Sequence, residues 1–251
     1  MQHTTYPLES KVALITGAAH RIGACMARTL HARGMNIVLH YRASAQAAEA
    51  LCAELNAAHP ASAVTLQADL HDHHALAPLV DKAAAHWGRL DALINNASSF
   101  YPTPVGTITL AQWNDLIGSN LQAPLFLSQA AAPYLRHTEG CIVNIVDIHA
   151  ERPLKEHPVY SIAKAGLVML TKALACELGP QIRVNGIAPG AILWPENELD
   201  DLAKQRIISR TFLKRQGRPE DIAKAALFLI AEADYTSGHI LTVDGGRALN
   251  S

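Results

Sequence analysis

Short apolar runs alternate with longer helical patterns along the 251-residue chain. The short runs are almost continuously apolar, which favours strands buried on both faces, as in a parallel sheet. Strands are predicted over 12–16, 36–40, 63–67, 90–94, 141–146, 183–187 and 240–243. Helices are predicted over 21–33, 44–58, 73–87, 112–135, 158–178 and 219–231. The repeated strand–helix units predict an α/β fold: a Rossmann-like, doubly wound parallel sheet of about seven strands with helices on both faces.

The pattern also predicts a single domain over residues 1–251. No linker rich in Gly, Ser or Pro divides the chain, and the alternation of strands and helices has no break near its middle. The least regular part, 191–218, is expected to be an excursion that forms a loop over the substrate site. Ser44 is expected to cap the second helix, and Gly34 to follow the end of the first.

Composition narrows the class of protein. Apolar residues make up 49% and charged residues 17%, which is enough for a core and too little charge for a disordered chain. The net charge of -1 disfavours a nucleic-acid partner. The first ten residues contain no signal-peptide core, and no apolar run approaches the length of a membrane span. We therefore expect a cytoplasmic protein with no membrane partner.

The cysteine and histidine patterns do not predict a metal site. The four Cys, at 25, 52, 141 and 176, are too far apart in sequence for a zinc knuckle and are expected to be reduced thiols. The cluster at 71–74, with three His and one Asp, is composed like a metal site, but neighbouring side chains on a helix point in different directions. A solvated start of a helix is the preferred interpretation. The basic stretch at 211–218 is likewise expected to be a solvated loop.

A glycine-containing turn follows the first strand. Gly17 and Gly23 flank it, Arg21 lies between them, and a predicted helix begins there. Glycines allow backbone to approach a pyrophosphate, and the helix N-terminus supplies amides and a positive dipole end. The guanidinium of Arg21 adds a planar fork of donors for phosphate. An ordinary βα turn containing glycine is the alternative interpretation.

The end of the second strand indicates which dinucleotide would bind. Sites that prefer NAD usually hold an acidic residue there, and none stands between 36 and 46. Arg42, Arg21 and the hydroxyl of Ser44 would instead suit a 2′-phosphate. The cofactor is therefore predicted to be NADPH/NADP, although Arg42 on its own reads equally well as a solvated surface arginine. Asp69, after the third strand, either accepts from an adenine amino group or caps a helix.

Tyr160 and Lys164 share one face of a predicted helix because they are four residues apart. A nearby cation favours phenolate, so Lys164 is expected to lower the pKa of Tyr160. A tyrosine tuned in this way can pass a proton near neutral pH. Polar residues are expected near the pair, because Asn95, Asn144 and Asp147 lie at or just after the carboxyl ends of predicted strands, and these ends should meet at one edge of the sheet.

Taken together, these motifs resemble the short-chain dehydrogenase/reductases. The resemblance rests on Thr16-Gly17 with Gly23, Asn95-Asn96-Ala97, Asn120, Tyr160 with Lys164, Pro189-Gly190 and Val243-Asp244-Gly245-Gly246, in that order over nearly the whole chain. Within that family the chain most resembles the pteridine reductases. Four features carry this closer resemblance: Arg21 in place of a glycine, Leu39-His40-Tyr41, the run over 95–104, and Asp147 in place of a serine.

The resemblance implies roles for individual residues. Asp147 and Tyr160 would act together in protonation, Lys164 would bind the nicotinamide ribose, and Asn120 would hold a water that links Lys164 to solvent. Phe100 would stack on a flat pterin. Binding of the cofactor is assigned to Gly17, His20, Arg21, Ile22, Gly23, His40, Tyr41, Arg42, Ser44, Asp69, Leu70, Asn96, Ala97, Ser98, Lys164, Pro189 and Gly190. Binding of the substrate is assigned to Arg21, Ser98, Phe100, Asp147, Tyr160 and Trp194.

Several of these residues have a second interpretation. Asp147 alone could be a turn or capping aspartate, and Phe100 could anchor its loop. Tyr101 is either a wall of the substrate site or a packing residue. Trp194 is either a substrate contact or a packing anchor, and the segment around it departs from the subfamily's usual residues, which leaves preference for a particular pterin tail open.

The resemblance implies an NADPH-dependent pteridine reductase that converts a dihydropterin or dihydrofolate to its tetrahydro form, and it implies a homotetramer. A short-chain carbonyl or quinone reductase is the alternative within the family. Asp147 disfavours it, because an ionised carboxylate repels a developing oxyanion. A non-catalytic NADP-binding regulator is the alternative of another class, and the intact set of Asn120, Tyr160 and Lys164 disfavours that function.

Overall fold

The computed structural model describes residues 8–192 and 200–250. Seven parallel strands form one sheet in the order β3-β2-β1-β4-β5-β6-β7. In chain order they are β1 Val12–Ile15, β2 Asn36–Tyr41, β3 Ala63–Gln67, β4 Ala92–Asn95, β5 Cys141–Ile145, β6 Arg183–Pro189 and β7 Ile240–Val243. Leu14 of β1 pairs with Val38 of β2 on one side and Leu93 of β4 on the other. The predicted sheet of seven strands is confirmed.

Helices cover both faces of the sheet, as the sequence predicts. They are α1 Arg21–His31, α2 Ala45–Ala58, α3 His73–Trp87, α4 Leu110–Ile117, α5 Ala123–Thr138, α6 Pro158–Leu178, α7 Asp201–Ser209 and α8 Pro219–Ala231. Short 3₁₀ turns follow β5 and β7, at Ile148–Ala150 and Arg247–Leu249. One apolar cluster joins the sheet to α1, α2 and α8. A second joins the opposite face to α3, α5 and part of α6.

The predicted helix over 112–135 is wrong in detail. The structure divides it into α4 and α5, separated by a π-helical turn at Gly118–Gln122. Pro124 has no N–H to donate to the carbonyl of Asn120 four residues before it, and the N–H of Ala123 bonds instead to Gly118, five residues back. The wider turn contains Asn120.

The expectation of an irregular excursion over 191–218 is also wrong in part. Residues 201–209 form α7, whose N-cap Asp200 accepts a hydrogen bond from the N–H of Ala203. None of its side chains is buried, so no apolar face of this helix packs into the core. Ser44 occupies the N-cap position of α2, but its side chain makes no capping hydrogen bond.

One helix within the described ranges, α6, is long and apolar enough to pass a length-and-composition test for a membrane span. The sequence predicts no apolar run near the length of a membrane span, and α6 is an exception to that expectation. The helix packs against β6, and Tyr160, Lys164 and Thr171 on it are buried. Its position is that of a helix covering one face of a sheet.

Candidate active site

A cavity of about 910 Å³ lies at the carboxyl ends of the central strands. It opens beside the neighbouring strands β1 and β4. The strand order reverses there, because β2 and β3 lie on the β1 side of the sheet and β5 to β7 lie on the β4 side. Ligands bind at such a switch point in open α/β sheets. Its walls contain every residue assigned above to cofactor or substrate binding except Trp194. Trp194 lies outside the described residues.

The turn after β1 brings backbone to the floor of the cavity. Gly17 has φ +62, and an added Cβ would lie 3.0 Å from Cα of Ala97. A Cβ on Gly23 would lie 2.3 Å from the carbonyl oxygen of Gly17. Arg21 also has a positive φ, 52. The N-terminus of α1 therefore opens directly on the cavity, and a dinucleotide pyrophosphate fits this cradle.

His40 fixes this turn to the sheet. Its Nδ1 accepts from the N–H of Gly17 at 3.2 Å, and its Nε2 donates to the carbonyl of Ala68 at 3.1 Å. The ring is 2% exposed, and burial lowers its pKa. Both contacts together require the neutral form that carries the proton on Nε2. His40 thus holds the phosphate turn to β2 and β3, a role that the sequence did not indicate.

The end of β2 carries the residues predicted to bind the adenine ribose. Tyr41, Arg42 and Ser44 line the cavity, and the side chain of Arg42 is exposed. Asp69 lines it as well, and its Oδ1 accepts from the N–H of His71 at 3.0 Å. The cap of α3 is Asp72, not Asp69, so the capping interpretation of Asp69 is wrong.

The cluster at 71–74 begins α3, as predicted. His71 contacts Asp115 at 3.1 Å, and no group of three potential metal ligands comes together within residues 8–192 and 200–250.

Asp147, Tyr160 and Lys164 meet at the other end of the cavity. The hydroxyl of Tyr160 donates to Oδ2 of Asp147 at 2.9 Å, and Oδ1 accepts from the N–H of His149 at 2.8 Å. Nζ of Lys164 donates to the carbonyl of Ile145 at 2.9 Å and lies 5.7 Å from the centroid of the Tyr160 ring. Asp147 is therefore also a capping residue of its 3₁₀ turn, while its second oxygen faces the phenol.

The direction of the Tyr160 pKa is opposite to the expectation. Burial raises it well above its ordinary value, the charge and hydrogen bond of Asp147 raise it further, and a contact with Ser98 lowers it by less. Burial also lowers the pKa of Lys164 to about 8, against an opposing effect of Asp147. Burial and Asp147 thus determine the direction of the shift, so Tyr160 holds its proton at neutral pH.

Asn120 lies behind the cavity wall and is completely buried. Its Oδ1 accepts from the hydroxyl of Ser98 at 2.6 Å, and its Nδ2 donates to the carbonyls of Ser99 and Leu116, each at 3.0 Å. Among the described residues, the hydrogen-bond partners of the Asn120 side chain lie in the loop after β4 and in the helical segment that contains Leu116. Lys164 is not one of these partners. Asn120 thus holds the loop that carries Ser98 and Phe100.

Phe100 lines the cavity and is 46% exposed. Its ring stacks on His157, with centroids 4.8 Å apart and planes 14° apart, and meets Tyr160 edge-on at 4.8 Å. Tyr101 also lines the cavity, and its hydroxyl donates to Asp115 at 2.9 Å. Burial and Asp115 raise the pKa of Tyr101 to about 12.

Sequence reasoning assigned no role to several residues of the cavity wall, among them His157 and Arg247. His157 precedes Tyr160 by three residues, a spacing that places both on one side of a helix start. Arg247 follows the motif 243–246, which served only for the family resemblance. Neither residue stood out by composition.

A fold of this topology with a Tyr–Lys pair beside a phosphate turn defines a nicotinamide-dependent oxidoreductase. A family model described as "Enoyl-(Acyl carrier protein) reductase" matches residues 17–248. The chain belongs to the short-chain dehydrogenase/reductase family.

Three relatives show the breadth of that family around this chain. Pteridine reductase 1 of Leishmania tarentolae is 37% identical, with 98% of this chain and 99% of that protein covered. 3beta-hydroxysteroid dehydrogenase 1 of Eggerthella lenta is 34% identical, with 96% and 95% covered. The 3-oxoacyl-[acyl-carrier-protein] reductase of Synechocystis is 32% identical, with 96% and 98% covered.

Proposed function

We propose that the protein is an NADPH-dependent pteridine reductase that acts on a dihydropterin or dihydrofolate. The hydrogen bond from Tyr160 to Asp147 carries this proposal. A ketone reductase needs donors around the oxygen that becomes negative, and a carboxylate there is repulsive. A pterin instead presents ring N–H and amino groups, which a carboxylate accepts. The pteridine reductase from Leishmania tarentolae among the relatives supports the same choice.

The residues of the chain divide the work as follows. When bound, the nicotinamide cofactor supplies the hydride. Lys164, buried and held by the carbonyl of Ile145, offers its remaining donors to the nicotinamide ribose. Tyr160 keeps its proton until hydride addition to a ring carbon leaves the electron pair of the C=N bond on the neighbouring ring nitrogen, and its hydroxyl then donates the proton to that nitrogen. Asp147 orients that hydroxyl and accepts from the substrate's N–H groups.

Recognition of the pterin ring is assigned to the loop after β4. Phe100 offers an exposed aromatic face, and stacking adds about 0.5–1.5 kcal/mol beyond burial of area. The imidazole of His157 stacks on the other side of the Phe100 ring and supports it. Ser98 and Arg21 line the same space and supply polar contacts to pterin and cofactor. The loop over 191–218 reaches the cavity through Ala191, Ile192 and Ile207, in agreement with its proposed place over the substrate.

Preference for NADPH rests on Arg42 and Ser44 at the end of β2, where no acidic side chain stands. The proposed homotetramer rests on the family resemblance, and the proposed cytoplasmic location rests on the four cysteines, which are expected to be reduced thiols.

A panel of dihydrobiopterin, dihydromonapterin and dihydrofolate tests the proposal, with oxidation of NADPH and of NADH followed for each. We expect turnover with at least one pterin and a higher kcat/KM with NADPH. A ketone and a quinone serve as comparison substrates. Absence of NADPH oxidation with all three pterins would overturn the pterin assignment, and equal kcat/KM with NADH would overturn the cofactor preference.

A further inference from the structure

Arg247 brings a guanidinium to the substrate end of the cavity. It begins the 3₁₀ turn after β7, is half-buried, and lines the same cavity as Asp147. Burial lowers its pKa, and the charge of Asp147 acts in the opposite direction. A partly desolvated cation is costly unless a partner compensates its charge.

The turn that carries Arg247 is tightly held. Asp244 accepts from the N–H of Gly246 at 2.8 Å and from that of Ala248 at 2.5 Å. Arg152, from the loop before α6, donates to the carbonyls of Ala248 and Asn250. These contacts fix the backbone on both sides of Arg247, so its side chain projects from a rigid support.

The carboxylates nearest to Arg247 accept hydrogen bonds from other groups. Asp147 accepts from Tyr160 and His149, and both oxygens of Asp244 accept from backbone N–H groups. Within the described ranges, no carboxylate lies at ion-pair distance from the Arg247 guanidinium. Arg210 adds a second positive charge nearby and lowers the pKa of Arg247 further.

We propose that Arg247 binds a carboxylate of the substrate, so that the protein prefers a dihydropterin whose side chain is acidic, as in dihydrofolate. This inference rests on the proposed pteridine reductase function. A guanidinium offers a planar fork of donors that matches a carboxylate in a bidentate pair. The field of Arg210 strengthens the attraction for an anion at this end.

The test compares kcat and KM for dihydrofolate and dihydrobiopterin, which share the pterin ring but differ in the carboxylate. In R247Q we expect KM for dihydrofolate to rise about 10- to 100-fold, the effect of losing a hydrogen bond between charged groups. The kcat for dihydrofolate and both constants for dihydrobiopterin should change less than about threefold on the same reasoning. R247K keeps the charge without the fork and should fall between wild type and R247Q.

R33Q is the matched control, because Arg33 is exposed and lies outside the cavity wall, and it removes the same charge. Binding of folic acid and of biopterin to the protein with NADP⁺ gives a second readout that needs no turnover. An unchanged preference for dihydrofolate in R247Q and R247K would overturn the inference. So would an equal loss for both substrates with a shifted pH profile, since Arg247 would then act through Asp147. A wild-type protein inactive with both pterins would instead refute the proposed function, and the inference with it.

Discussion

At the scale of single residues, Asp147 and burial determine the proton chemistry of the site. The carboxylate and burial together hold the proton on Tyr160, where the Tyr–Lys spacing alone predicts a lowered pKa. The sequence predicted that these residues meet, because strand ends and helix faces follow from periodicity. It did not predict the balance of charge and desolvation, since that depends on distances between residues far apart in the chain.

Tyr160→Phe is expected to reduce kcat by about 100-fold or more, because it removes the proton donor while keeping the ring in place. The dissociation constant for NADPH should change little, since Phe retains the contacts of the ring. Steady-state kinetics and fluorescence titration measure the two effects. The exposed Tyr235→Phe provides a control for the loss of a hydroxyl. Normal turnover by Tyr160→Phe would show that another group donates the proton.

Arg42→Gln is expected to raise KM for NADPH about tenfold while leaving KM for NADH nearly unchanged, because only NADPH carries the 2′-phosphate that a guanidinium binds. The ratio of kcat/KM for the two cofactors is the measurement. Arg136→Gln, an exposed arginine outside the cavity wall, controls for net charge. An unaltered ratio would return Arg42 to its interpretation as a solvated surface arginine.

At the scale of elements, a buried chain of polar side chains joins the strands under the site to the helices that carry it. Asn95 donates to Asn144 at 2.8 Å, and Asn144 donates to Thr171 of α6 at 2.9 Å. Asn95 also contacts Ser128 of α5 at 3.4 Å. These contacts fix α5 and α6 relative to β4 and β5, and so fix Tyr160 and Lys164.

Asn144→Ala is expected to destabilise the fold by about 3 kcal/mol, because it leaves buried partners unsatisfied and opens a small cavity. The free energy of unfolding in urea measures the effect. Asn114→Ala, at an exposed position of α4, should stay within about 0.5 kcal/mol of the wild type. A loss at Asn144 no larger than that at Asn114 would show that the network contributes little.

The elements also show where sequence patterns fail. Long apolar helices, such as α6 and α8, were predicted with their observed ends. The π-helical turn was missed because its residues are compatible with an ordinary helix, and a proline near a helix start is common. Helix α7 was missed because it buries none of its side chains.

At the scale of the whole molecule, two buried histidines make stability depend on pH, although the net charge of the chain is near zero. Burial lowers the pKa of both His31 and His40, and a charge effect of His59 adds to that on His31. The unfolded chain therefore binds protons below about pH 6.5 that the folded chain resists. Above about pH 6.5 the two histidines do not lower the free energy of unfolding. Below it, the free energy of unfolding falls as the pH decreases.

Unfolding in urea at pH 7, 6.5, 6, 5.5 and 5 should show this loss, with at most about 1.4 kcal/mol per pH unit from each histidine. In His40→Asn the dependence on pH should be weaker. His137→Gln, at an exposed position, should retain the dependence of the wild type. Stability that rises from pH 7 to pH 5 would contradict the assigned direction.

The strand order has a consequence for how the chain folds. Every neighbouring pair in the sheet is parallel, so no pairing can form through a short hairpin, and each requires a crossover. The order places β1 between β2 and β4. During synthesis, the edge of β1 that pairs with β4 therefore stays unpaired until residues 92–95 have been made. An unpaired edge exposed for that time can pair with another chain, so aggregation during folding should concentrate in the interval before β4 is added.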